Sequence, residues 1–191
     1  RRCSMYPFFK RLFDILVALV SFVLLAPLFI PLMLALRLTG EGEVFYGQNR
    51  VGYRNNTFRI WKFATMLKNS PNLGTGELTV HNDPRVLPVG RFLRKSKINE
   101  LPQLINVLKG DMSLVGPRPL LVKYLPLYNQ KQARRHEVRP GITGWTQVNG
   151  RNSLSWEQKF ELDIYYVDHL SFALDMKILW LTMLKVFKRE G

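Results

Sequence analysis

Residues Ile15–Leu36, ILVALVSFVLLAPLFIPLMLAL, decide the architecture of this chain. These 22 residues carry no charge, and Ser21 is their only polar side chain. A straight helix of that length reaches about 33 Å, enough to cross a hydrocarbon core of about 30 Å. A cleaved signal peptide fits poorly, because the run is too long and no small-x-small cleavage site follows it. Two features weigh against a simple crossing. Lys10 and Arg11 precede the run, while Arg37, Arg50, Arg54, Arg59 and Lys62 follow it, so the positive-inside tendency draws both ends to the cytoplasmic side. Pro27 and Pro31 lie mid-run. Each lacks an amide donor, and a proline inside a helix costs roughly 3 kcal/mol or more. The expectation is a re-entrant helix-break-helix hairpin that bends at Ala26–Pro27 and leaves by the leaflet it entered. A kinked single span is the alternative.

Outward from that segment the chain divides into three. Residues 1–11 form a basic lead, in which 1–4 read as an addition ahead of a native start at Met5. Residues 12–38 are the membrane anchor, and 39–191 a domain on its cytosolic face. The balance of 28 Lys+Arg against 14 Asp+Glu gives a formal charge of +14, which predicts anionic partners. Next to an apolar anchor, acidic lipid and phosphorylated substrates are favoured, because each Lys or Arg near anionic lipid gains roughly 1 kcal/mol. Nucleic acid is not an expected partner, since no recognisable binding module is present. Cys3 is the single cysteine, so no internal disulfide forms, in keeping with a cytoplasmic domain. His81, His136 and His169 are scattered and read as surface or structural residues rather than metal ligands.

The expected fold class is α+β and mostly helical, with the membrane hairpin, a small β-hairpin and amphipathic surface helices. Val44–Tyr46 and Phe58–Phe63 are β-prone and flank the polar turn Gly47–Thr57. Residues 69–84, NSPNLGTGELTVHNDP, read as a long loop, which in a compact domain is more often functional than inert. Helices are expected at Val89–Lys95, at Asn99–Lys109 with Asn99 as N-cap and Gly110 as stop, and at Tyr124–Glu137, Ser155–Tyr166 and Phe172–Lys188. The last is basic and amphipathic with Trp180 among its apolar residues, a pattern that suits a membrane surface as well as a core.

Chemistry concentrates in Arg94–Pro119, RKSKINELPQLINVLKGDMSLVGPRP. Arg94 lies five residues before Asn99, and Arg118 stands between two prolines on a stiff loop, a setting suited to bidentate phosphate contact. Taken singly, each feature has an ordinary reading: Asn-Glu before a proline starts a helix, Gly-Pro-Arg-Pro makes a turn, and Asp111 caps the next segment. Their order and spacing in one block are far less ordinary.

LPQ, KGDMS and GPRP in this order resemble the signature of the bacterial sugar transferases, the monotopic polyprenyl-phosphate phosphoglycosyl transferases. Lys62-Phe63-Ala64-Thr65-Met66, Arg139-Pro140-Gly141-Ile142-Thr143-Gly144, and Gln147-Val148-Asn149-Gly150-Arg151-Asn152 extend the resemblance, as does the Ala26-Pro27 break. It covers the chain from about Met5 to Lys188 and corresponds to the minimal catalytic type. The resemblance implies transfer of a sugar 1-phosphate from a UDP-sugar to undecaprenyl phosphate, with UMP released, at the cytoplasmic face of the bacterial inner membrane. It implies Mg²⁺ as cofactor and downstream glycosyltransferases as further partners. By position Asn99 takes the place of the family's nucleophilic Asp and Glu100 that of the metal-binding acid. Arg94, Asp111, Arg118, Arg139, Gln147 and Arg151 are the expected substrate contacts.

The departure falls on the nucleophile. The family has Asp-Glu before LPQ, and this chain has Asn99-Glu100. Asn and Asp are nearly isosteric, so the fold tolerates the change, but an acyl phosphate cannot form without a carboxylate. Three explanations stand open: a natural or engineered variant stopped before the first step, attack by another group such as Glu100, or direct transfer from bound polyprenyl phosphate. A catalytically silent member that binds UDP-sugar or scaffolds a glycan pathway is the alternative function.

Overall fold

A computed structural model describes residues 5–76, 79–80, 82–150 and 153–188. Helix α1, Tyr6–Thr39, contains the whole apolar run and is long and apolar enough to cross a bilayer by length and composition. It continues through Ala26, Pro27 and Pro31, so the expected break does not divide it into two helices. Packing accounts for this. Asp14, Ala18, Phe29 and Leu36 are buried, with Phe22, Leu25 and Leu32 half-buried between them, which gives one inward face spaced three or four residues apart along the helix. Both prolines are exposed on the outer face, so any bend they impose is concave towards the domain.

The domain holds α1 at both ends. Near the start, Lys10 Nζ reaches Asp175 at 2.6 Å, Arg11 donates to the carbonyls of Val107 and Leu108, and Ser113 Oγ donates to Asp14 at 2.6 Å. Further along, Phe29 and Leu36 form a core with Phe63 and Leu93. A larger core gathers Ala18, Leu104, Val107, Met112, Tyr166 and Ile178, and Phe22 and Leu25 touch both.

After α1, strands β1 (Phe45–Val51) and β2 (Thr57–Phe63) pair antiparallel, from Phe45 opposite Phe63 to Val51 opposite Thr57. The turn is tighter than the sequence implies, with Arg54 and Asn55 at positive φ, so Gln48, Asn49 and Arg50 belong to the strand. Their polarity disguised it: Gln48 and Arg50 line a polar cleft rather than a core.

Helix α2 (Pro88–Lys95) forms as expected. The next helix does not begin at Asn99. Lys97 takes a left-handed conformation, Ile98–Glu100 is a separate 3-10 turn, and α3 spans only Gln103–Lys109, stopped by Gly110 at φ 95°. Asn99 makes no capping bond, because its side chain is turned inwards and is 8% exposed. Glu100 accordingly lies outside the first turn of α3.

Strands β3 (Ser113–Val115) and β4 (Gly141–Thr143) pair in parallel, a feature too short to leave a periodic signal. This pair joins two distant motifs: Ser113 N–H donates to Pro140 O, Gly141 N–H to Pro117 O and Gly116 N–H to Thr143 O. The backbones approach so closely that a Cβ on Gly116 would lie 2.3 Å from Arg139 O. The segment expected as one helix over 124–137 is a 3-10 turn at Val122–Leu127, α4 (Gln130–Ala133) and another turn at Arg134–Glu137, interrupted by Pro126 and by the Asn129 capping box. A four-residue α5 (Trp145–Val148) follows β4. Ser155 caps α6 (Trp156–Asp168) and Ser171 caps α7 (Phe172–Phe187), close to the expected bounds.

Candidate active site

Strands β1 and β2, the segment after β2, the Ile98–Glu100 turn and Arg118 enclose a cleft of about 380 Å³. Arg50, Lys62, Lys68, Arg94, Lys97 and Arg118 line it, against Glu43 and Glu100. Such an excess of cations in a concave, partly desolvated space favours a polyanion of diphosphate type.

Glu100 is the focus. Its Oε1 accepts from Lys62 Nζ at 3.2 Å and faces the Arg118 guanidinium at 3.6 Å. Burial pushes the Lys62 ammonium down to about 8, against the pull of Glu100 and with Arg118 and Arg50 adding to the fall. Arg94 reaches the cleft from α2 and donates from Nε to Thr65 Oγ1 at 2.8 Å. Desolvation by burial lowers its guanidinium from the ordinary value, against the pull of Asp83 and Glu100. Asn99 also lines the cleft, beside Glu100.

The supporting residues are buried and hydrogen-bonded. Asn106, 0% exposed, donates to Arg59 O at 2.8 Å and accepts from Trp61 N–H at 3.0 Å, which fixes α3 to the strand that carries Lys62. Arg135 is paired with Asp163 at 2.8 Å and donates to Arg118 O at 2.6 Å, which sets the backbone that presents Arg118. Arg85 secures the long loop: it pairs with Asp83 at 2.6 Å and donates to the carbonyls of Ser70, Leu73 and Gly76. Ser70, Pro71, Gly76 and Thr79 of that loop wall the cleft, and the Arg85 guanidinium holds the Asp83 carboxyl well below the usual carboxylate range.

Of the residues anticipated from sequence, Asn99, Glu100, Arg94 and Arg118 converge here. Asp111 and Arg139 are engaged elsewhere. Asp111 accepts from Asn106 Nδ2 at 3.2 Å, and Arg139 donates to Gly110 O and lies over the Tyr53 ring. Gln147 lines a neighbouring groove, Ala26 and Pro27 lie in α1, and Arg151 falls outside the described residues. Sequence reasoning gave no role to Lys62, Asn106, Asp83 or Arg85. Lys62 alone had a signal, its place in the Lys-Phe-Ala-Thr-Met segment.

Residues 5–189 match the family described as Bacterial sugar transferase. The chain belongs to this family. It is 51% identical over 182 residues to the uncharacterized sugar transferase EpsL of Bacillus subtilis, covering 95% of this chain and 89% of that one. It is 41% identical to a UDP-N-acetylgalactosamine-undecaprenyl-phosphate N-acetylgalactosaminephosphotransferase of Aeromonas hydrophila, over 97% of this chain and 45% of that one. It is 40% identical to the UDP-glucose:undecaprenyl-phosphate glucose-1-phosphate transferase of Escherichia coli, over 95% of this chain and 41% of the other. The chain therefore spans less than half of these two longer relatives.

Among the described residues no three His, Cys, Asp or Glu side chains converge as a metal site. The carboxylates that line the cleft are Glu43 and Glu100, hard oxygen donors of the kind that hold Mg²⁺ together with a nucleotide's phosphates.

Proposed function

We propose that the chain transfers a sugar 1-phosphate from a UDP-sugar to a polyprenyl phosphate such as undecaprenyl phosphate. The bond from the β-phosphorus to the bridging oxygen breaks, UMP leaves, and the lipid phosphate oxygen bonds to that phosphorus. The observation that carries the reading is the cationic cleft centred on Glu100, with Lys62 and Arg118 within 3.6 Å of its carboxylate. The undecaprenyl-phosphate transferases among its relatives supply the lipid acceptor and nucleotide-sugar donor classes. Arg118 and Arg94 hold the diphosphate, Lys62 orients Glu100, and Glu100 would share Mg²⁺ with the donor. When bound there, the ion would supply charge neutralisation at the transferred phosphorus.

The anchor is proposed to be monotopic, on the cytoplasmic leaflet of the inner membrane. Both ends of α1 lie against one domain, and a domain cannot stand on both sides of a bilayer. The outer face of α1, including Leu16, Val23, Ile30 and Leu34, is exposed and apolar, and burying it in lipid is favourable by about 25 cal/mol per Å².

Asn99 favours a second reading, a member that binds donor without turning it over, since an amide oxygen is a poor nucleophile at phosphorus. One experiment separates the two: UMP release from a panel of UDP-sugars, with Mg²⁺ and undecaprenyl phosphate in detergent, for the chain and for Asn99→Asp. Turnover by the Asp form alone means a disarmed transferase. Turnover by both means a nucleophile other than residue 99. Donor binding without UMP release by either supports the binding reading and sinks the transferase.

A further inference from the structure

A second cavity, a groove of about 1040 Å³ bounded by α2, α3, α5 and α7, meets the cleft at Lys97, Glu100 and Arg118, which line both. Its character is different. Leu101, Leu104, Leu114, Ile142, Val148 and Leu179 form an apolar lining that a water-soluble nucleotide sugar has no use for. Phe92 and Val186 stand in its wall and are 66% and 54% exposed, so one side of the groove opens through apolar residues. Lys95, Lys97, Arg118 and Lys185 supply positive charge around it. Gln147 adds a second observation: both polar atoms of its amide are buried in the groove wall with no hydrogen-bond partner. A buried amide left unpaired is unfavourable, so a ligand that pairs with it recovers that cost. Gly144 leaves room for the amide, since a Cβ there would lie 2.8 Å from Gln147 Oε1.

We infer that this groove is the acceptor site, which takes the phosphate of a polyprenyl phosphate at Arg118, Lys97 and Gln147 and the first isoprene units along the α3–α7 wall. The inference rests on the transferase reading and deepens it. Charge and apolar lining match the two ends of such a lipid, and the shared residues bring its phosphate to the donor's diphosphate. The exposed apolar mouth leaves the rest of the chain in the bilayer. Donor and acceptor thus approach Glu100 from separate cavities.

The test is photolabelling of the full chain in nanodiscs with a diazirine-bearing polyprenyl phosphate, mapped by peptide mass spectrometry. UDP-sugar affinity is measured on the same sample. Labels are expected within 92–97 and 179–186. Undecaprenyl phosphate should compete for them, while undecaprenol and phosphatidylglycerol should not. Val186→Glu and, independently, Phe92→Glu put a carboxylate at exposed positions of the mouth. Each should lower labelling about tenfold, with UDP-sugar affinity held within about twofold. Labels confined to the outer face of α1, equal competition by undecaprenol, or a self-association contact covering the groove would each overturn the assignment. Absence of UDP-sugar binding in the unaltered chain would instead sink the donor reading, whatever the labels show.

Discussion

Asn99 lies in the cleft beside a carboxylate that is already neutralised by Lys62 and Arg118, so residue 99 and its neighbours decide what chemistry is open to this chain. Restoring a carboxylate by Asn99→Asp is expected to raise UMP release roughly a hundredfold or more, because a nucleophile replaces an amide in an unchanged frame. Arg118→Ala is expected to weaken UDP-sugar binding about tenfold, measured by calorimetry, as it removes one charge-assisted contact to the diphosphate. Lys62→Ala is expected to weaken it by a similar factor, as it leaves the Glu100 carboxylate without its ammonium partner beside that diphosphate. His136 makes stability depend on pH in the acid range. Its ring is 7% exposed, and burial with Arg135 beside it pushes the imidazole down to about 4. An unfolded His titrates near 6.5, so between about 6.5 and 4 the unfolded chain binds a proton that the folded chain refuses. Stability from this group is therefore full above about pH 6.5 and falls as pH drops towards 4, by up to about 3 kcal/mol. Thermal melts across that range should show a shallower decline for His136→Gln than for the parent.

The elements differ in how far local sequence specifies them. Ser155 and Ser171 cap α6 and α7 with side-chain bonds to backbone amides, and both helices were legible close to their bounds in the sequence. The turn that carries Asn99 and Glu100 was not. Its polar residues read as a helix start, yet the left-handed Lys97 and the inward Asn99 depend on contacts from β2 and α2. Helix α2 shows how tight that packing is, for a Cβ on Gly90 would lie 2.2 Å from Thr65 O. Gly90→Ala should therefore cost about 1–3 kcal/mol in chemical denaturation despite its better helix propensity. It should also weaken donor binding, since Thr65 is the partner of Arg94 in the cleft wall.

At the scale of the whole molecule, α1 lies along the domain with Lys10 and Asp14 tied to α7 and β3 and Leu36 packed near α2. Tags at the two termini should share one side of the membrane in a protease-protection assay; opposite sidedness would sink the monotopic arrangement. Composition and motif order determined the long apolar helix, the basic domain, the family resemblance and four residues of the cleft, because each is written in residue type and local spacing. Tertiary structure alone decided the rest. The continuity of α1 through its prolines arises from one face packed against the domain on both sides of them. The parallel β3–β4 pair and the supports from Asn106, Arg85 and Arg135 join residues distant in sequence, and no local pattern records a bond whose partner lies far along the chain.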